Sequence, residues 1–193
     1  MKEYCAGGKR SKLLSLYRGI DAKGMGAEFF GPFFPLILIF SIYFMIPETI
    51  IDFITSQTCA TICCVGSSSK DPYCFSAFFM FDEQEASIYF KTSPTSFHTE
   101  LLNENHFVAG TIHPDKLDTL LVRGLQFRGV AVGPNHPLSR RAAIAYSSKF
   151  PMSNSMPGEI WTIRLSHIKM TDSSRSFGEK IVWTRAEERL HVM

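Results

Sequence analysis

The stretch with the most chemistry in its side chains is "YFKTSPTSFH", Tyr89 to His98. It sets four hydroxyls, Thr92, Ser93, Thr95 and Ser96, between Lys91 and His98. A strand-like run precedes it and a helix-like run follows, so the hydroxyls fall at the junction. With Ser93 as N-cap and Pro94 as the first helical residue, where a missing N–H costs nothing, the amides of Thr95, Ser96 and Phe97 open the helix. A capping box would put Glu or Gln at the Ser96 position; the hydroxyl there leaves the helix end open to an outside acceptor. A helix start carries about half a positive charge, and the hydroxyls, Lys91 and His98 add donors and charge. Phosphate is the expected guest. The plainer alternative is a Ser-Pro helix start with no ligand.

Other reactive residue types are less organised. Six histidines (His98, His106, His113, His136, His167 and His191) form no HExxH or i, i+4 pair, so no metal site is expected. Five cysteines (Cys5, Cys59, Cys63, Cys64 and Cys74) form no paired CxxC units and read as small apolar core residues in a reducing compartment. The loop "TDSSRSFGEK" mixes Asp172, Arg175, Gly178 and Lys180, either as a charged surface loop or as a ligand contact. Arg140, Arg141 and Lys149 lie on a segment that reads as a solvated helix.

These residues need a scaffold, and 193 residues with a net charge of +2 suffice for one domain with a sizeable core. No basic block marks a nucleic-acid partner. Residues 29–46, "FFGPFFPLILIFSIYFMI", are an uncharged apolar run behind several basic residues. That run reads as a membrane anchor by length. Pro32 and Pro35 make it a poor helix, and Met45 is followed by a sensible domain start at Pro47 and Glu48, so a later start is the competing reading. The expected organisation is an N-terminal extension over 1–44 and a domain over 45–193. A late start implies a cytoplasmic protein; a translated anchor implies a membrane-bound one.

Ile50, Ile51 and Ile54 follow helical spacing. Strands are expected at "TCATICCV", "YCFSAFFMF", "ASIYFK", "HFVAGTIH" and "TLLVRGLQFRGVAV", around Trp161, Ile163 and Leu165, and over 181–184. Helices are expected over 95–104 and in "LSRRAAIAYSSKF". Gly124 and Gly129 inside the long fifth strand mark curvature. The sum is a mainly β protein, about six antiparallel strands in a small barrel decorated by helices.

The order "FSAFFMF", "YFKTSPTSFH", "LNENHFVAGTI", "VRGLQFRGVA" resembles the FMN-binding split-barrel proteins related to pyridoxamine 5'-phosphate oxidase. The tail "IRLSHIKMTDSSRSFGEKIVWTR" is similar to their YhbP-like branch, and the resemblance runs over 45–185. It implies a six-stranded antiparallel split barrel, dimeric, with FMN between the subunits and its phosphate at the hydroxyl turn. The cofactor residues it implies are Thr92, Ser93, Thr95, Ser96, Phe97 and His98 at the turn. It adds Ser76 and Ala77 on the second strand for the ring, and Gln126 from either subunit. The oxidases carry Ser-Arg-Lys where this chain has Ser96, Phe97 and His98, so two fixed cations are replaced by a phenyl ring and a titratable imidazole. Their C-terminal substrate signature is missing, which disfavours pyridoxamine phosphate oxidation. The implied function is an FMN-dependent oxidoreductase taking hydride from a small molecule or a nicotinamide. The alternative is a non-catalytic module for flavin, haem or another phosphate ligand.

Overall fold

The computed structural model describes residues 45–68, 70–174 and 178–186. The expectations for residues 1–44 fall outside them, and among the described residues no helix is long and apolar enough to cross a membrane.

Pro47 opens α1 (Glu48–Thr55), with Glu48 in the first turn where the helix dipole favours a carboxylate. Ile50, Ile51, Phe53 and Ile54 form its buried face, and each side chain so buried stabilises the fold by roughly 1.5–3 kcal/mol. The strands that follow are β1 (Cys59–Val65), β2 (Pro72–Asp82), β3 (Ser87–Thr92), β4 (Phe107–Ile112), β5 (Arg123–Val132), β6 (Glu159–Asp172) and β7 (Lys180–Thr184). Every pairing is antiparallel, in the order β3-β2-β1-β4-β5-β6-β7. A further β3–β6 ladder closes six of these strands into a barrel, and β7 adds to β6 outside the ring. The expected six-stranded antiparallel barrel is therefore present.

Period-2 alternation fills the barrel: Ile62, Phe79, Ile88, Phe90, Ile112, Leu125, Phe127, Ile163 and Ile168 all point into one core. Strand β3 is buried on both faces. Its second face lies under α3 (Ala142–Lys149), where Tyr89, Ala142 and Tyr146 make a separate small cluster. Between β3 and β4 comes α2 (Phe97–Glu104).

The long fifth strand begins later than the sequence suggests. Residues 119–121 turn before it, because Asp118 captures the Leu120 amide with its carboxylate (2.9 Å) and the Leu121 amide with its carbonyl (3.3 Å). Curvature at Gly129 is real: the β5–β6 register shifts between Arg128 and Gly129, and a Cβ at Gly129 would strike the Arg164 carbonyl oxygen. Gly124 has no such role, since a Cβ there would find its nearest neighbour 3.5 Å away.

Three readings of charged and sulfur residues change. Cys63 and Cys74 are disulfide-bonded, not reduced core residues, because their strand register sets them directly opposite one another on the outer face; Cys59 is exposed and Cys64 is buried. Lys149 turns inward to donate to the Gln57 carbonyl (2.9 Å) over the Phe79 ring, and burial pushes its pKa down. Asp172 is structural. Burial works to raise its carboxyl, but the Ser174 hydroxyl (2.6 Å) and amide (3.0 Å) and the Arg123 guanidinium (3.1 Å) hold it below its ordinary value.

Candidate functional site

The barrel is split where β2 and β3 part. Their ladder runs from Asp82↔Ser87 to Phe79↔Phe90 and ends there, while β3 continues to Thr92 against β6. Among the described residues, 72–78 of β2 then pair only with β1. The Phe79 amide donates to the Thr58 carbonyl, so alternation along the ladder turns the backbone groups of Tyr73, Phe75 and Ala77 toward β1. Those of Cys74 and Ser76 face the open edge. The helix that fills part of the gap is α2, whose start packs on β2: the Phe97 ring meets Tyr73 edge-on at 5.2 Å, and the His98 imidazole stacks on Phe75 at 3.8 Å.

The helix begins one turn later than the sequence reading placed it. Ser96, not Ser93, is the N-cap, and Phe97 is the first helical residue. Pro94 instead lies in a turn closed by the Ser96 amide on the Ser93 carbonyl (3.2 Å), which suits its fixed φ equally well. The amides left without an acceptor among the described residues are those of Phe97 and His98.

Counting hydroxyl protons shows which side chains can still donate outward. The Ser93 carbonyl receives both the Ser96 hydroxyl (2.9 Å) and the Thr99 hydroxyl (2.9 Å). Thr92 is buried and bonds to the His98 Nε2 and the Ser96 Oγ. Burial holds the His98 imidazole below its ordinary pKa, so near neutral pH it is an uncharged partner of these hydroxyls. Thr92, Ser96 and His98 are thus occupied within the turn. Ser93 and Thr95 are exposed and bond to each other (3.0 Å); one proton is used between them and one is left for an outside acceptor. Lys91 is committed elsewhere, donating to the carbonyls of Ser153 (2.7 Å) and Met156 (2.6 Å). Among the described residues, the turn offers donors without a fixed cation.

Of the residues named from the sequence, Thr92, Ser93, Thr95, Ser96, Phe97 and His98 are gathered in this turn, with Ser76 and Ala77 on the β2 segment beyond the split. Ser76 and Ala77 point to opposite faces of that strand. Gln126 is apart from them: on the outer face it follows Ser76, Thr61 and Thr111 across four strands, about 14 Å from Ser76 at ordinary strand spacing. Thr99 and Tyr73 were missed; the Ser-x-x-Thr spacing from Ser96 was the available signal for Thr99. The outer face also bears a groove of about 1020 Å³ lined by Cys63, Phe107, Arg128 and His167 among others. Among the described residues no cluster of His, Cys, Asp and Glu could hold a metal ion.

A UPF0306 protein of Serratia proteamaculans is 33% identical to this chain over 138 residues, 72% of the chain and 94% of that relative. The chain belongs to the UPF0306 family. The UPF0306 protein YhbP of Escherichia coli is 34% identical over 113 residues, 58% of this chain and 77% of its own. No family model matches the sequence. Among solved structures, this UPF0306 barrel is similar to a heme binding protein from Mycobacterium smegmatis, with a TM-score of 0.56 and 14% identity. That match covers 68% of the UPF0306 chain and 55% of the other. It is also similar to a Clostridium acetobutylicum protein of the pyridoxinephosphate oxidase family, with a TM-score of 0.51, 12% identity, and coverage of 72% and 94%. At such identities the likeness is one of fold.

Proposed function

We propose that this UPF0306 protein binds FMN at the split between β2 and β3. The observation that carries the reading is the meeting of two unpaired features: the open β2 edge at Cys74 and Ser76, and the unpaired Phe97 and His98 amides of the helix packed against it. The amides and the Ser93 and Thr95 hydroxyls would hold the phosphate, and the backbone around Ser76 and Ala77 would hold the ring. Neutral donors fit a phosphate, but without a fixed cation they hold it less firmly than a charged set. Gln126, on the outer face, would reach that ring from a second copy if the protein forms the homodimer that the resemblance implies. Bound FMN would supply a ring that accepts hydride from a small-molecule or nicotinamide donor. The chain's own contribution is to seat it, and His98, half-buried and bonded to Thr92 and Ser96, orients those hydroxyls.

A second reading rests on the outer groove, where His167 and Arg128 line a largely apolar surface suited to haem; the likeness to a heme binding protein supports it. One experiment separates the two. The full chain is titrated with FMN by flavin fluorescence and with haemin by visible absorbance, beside Thr95→Glu and Thr95→Ala. The FMN reading expects Thr95→Glu, which puts a carboxylate beside the open amides, to weaken FMN roughly tenfold, with Thr95→Ala much milder. FMN binding unaffected by Thr95→Glu would remove the turn as the phosphate site, and haemin binding without FMN binding would favour the groove.

A further inference from the structure

We propose that the Cys63–Cys74 pair is a thiol–disulfide exchange site, opened by small thiols of the glutathione class through the sulfur of Cys74. The two residues are register partners on β1 and β2, with Cα atoms 4.2 Å apart. They occupy a pair whose backbone groups point away from each other, the position where antiparallel side chains lie closest. Backbone pairs from Cys59↔Phe78 to Val65↔Pro72 hold the two strands independently, so the bond opens without moving them. Its surroundings are asymmetric. Cys74 is exposed and stands on the β2 segment that β3 has left, whereas Cys63 is half-buried and lines the outer groove with Arg128 and His167.

Exchange needs the three sulfurs in line, and which sulfur is attacked follows access. The bond joins register partners on adjacent strands, so an attack on Cys74 arrives from the open side of β2. An attack on Cys63 arrives over β4, inside the groove. In the first step a small thiolate bonds to the Cys74 sulfur, the Cys63–Cys74 bond breaks, and its electron pair leaves on Cys63 as a thiolate in a groove that holds Arg128. A second small thiolate then attacks the sulfur of the small-thiol part of the mixed disulfide at Cys74, releasing Cys74 thiolate and the oxidised small thiol. The two protons given up by the small thiols end on the two cysteines, so two thiols and one protein disulfide become one small disulfide and one dithiol. The reverse sequence closes the bond. Cys59, exposed and unpaired, and Cys64, buried, serve as internal references.

The test places the full chain, without flavin, in reduced and oxidised glutathione mixtures, blocks thiols with N-ethylmaleimide and maps each cysteine by peptide mass spectrometry. Single variants Cys63→Ser and Cys74→Ser are exposed to oxidised glutathione alone. The expected result is a Cys63–Cys74 cross-link in oxidising mixtures, two alkylated thiols in reducing ones, and a glutathione adduct on Cys74 at least tenfold above that on Cys63. A pair that stays alkylatable in fully oxidised glutathione, no adduct at either position, or an adduct on Cys63 equal to that on Cys74 would overturn it. Should a variant fail to fold, the mapping of the unchanged chain decides.

Discussion

Phe97→Arg is expected to tighten FMN binding by roughly tenfold to a hundredfold, the worth of one charge-assisted hydrogen bond at about 1.5–3 kcal/mol. The turn has amides and hydroxyls directed outward but no fixed cation among the described residues, because Lys91 is tied to the Ser153 and Met156 carbonyls and desolvation holds the half-buried His98 below its ordinary pKa. Phe97 is the first residue of α2 and is 54% exposed, so a guanidinium there extends into solvent beside the open amides. His98→Lys is not an equivalent experiment. It would break the stack on Phe75 and the bonds to Thr92 and Ser96 that hold the turn together. The loss of the Phe97 contact with Tyr73 costs about 0.5–1.5 kcal/mol of stability at most, and a thermal melt beside the flavin titration checks it. Unchanged affinity in a folded Phe97→Arg protein would show that the phosphate is not held at this helix start.

Loss of the Cys63–Cys74 bond, by reduction or by Cys74→Ala, is expected to destabilise the barrel by about 3 kcal/mol. The bond closes a short loop across a sequence separation of 11, and the chain-entropy cost of such a loop sets that magnitude. For a domain of this size the melting temperature should fall by roughly 6–12 °C. Melts with and without reductant measure it, and Cys59→Ala is the control that should not respond. A shift below about 2 °C would mean that the hairpin is already closed in the unfolded chain, or that the bond does not form.

Much of the barrel was legible because its strands alternate cleanly. The run "ASIYFK" announced β3, and Gly129 announced a bend that the bulge at Arg128 and Gly129 realises. The helix start was misplaced by one turn, since Pro94 suits a β-turn and a first helical position equally, and only the Ser96-to-Ser93 hydrogen bond decides between them. The disulfide could not be read because it depends on the β1–β2 register. Once Thr61 is known to face Ser76, Cys63 must face Cys74, but no residue in the loop between the strands fixes that alignment from sequence. At the site, the residues were legible from the sequence and their hydrogen-bond partners were not. Thr92 and Ser96 look like phosphate donors by composition, yet their protons are used inside the turn. That depends on Thr99 and on where the Ser93 carbonyl points, both three-dimensional facts. Lys149 and Asp172 were misjudged for the same reason: a charged residue beside a buried carbonyl or guanidinium becomes structural, and sequence spacing does not show the partner.

The central claim, that the turn before α2 receives the phosphate of a flavin, is tested most directly by titrating the full chain with FMN and with riboflavin, which differ only in that phosphate. The account predicts that FMN binds at least tenfold more tightly than riboflavin, a difference of about 1.4 kcal/mol or more. Equal affinities for the two, or no binding of FMN, would contradict it.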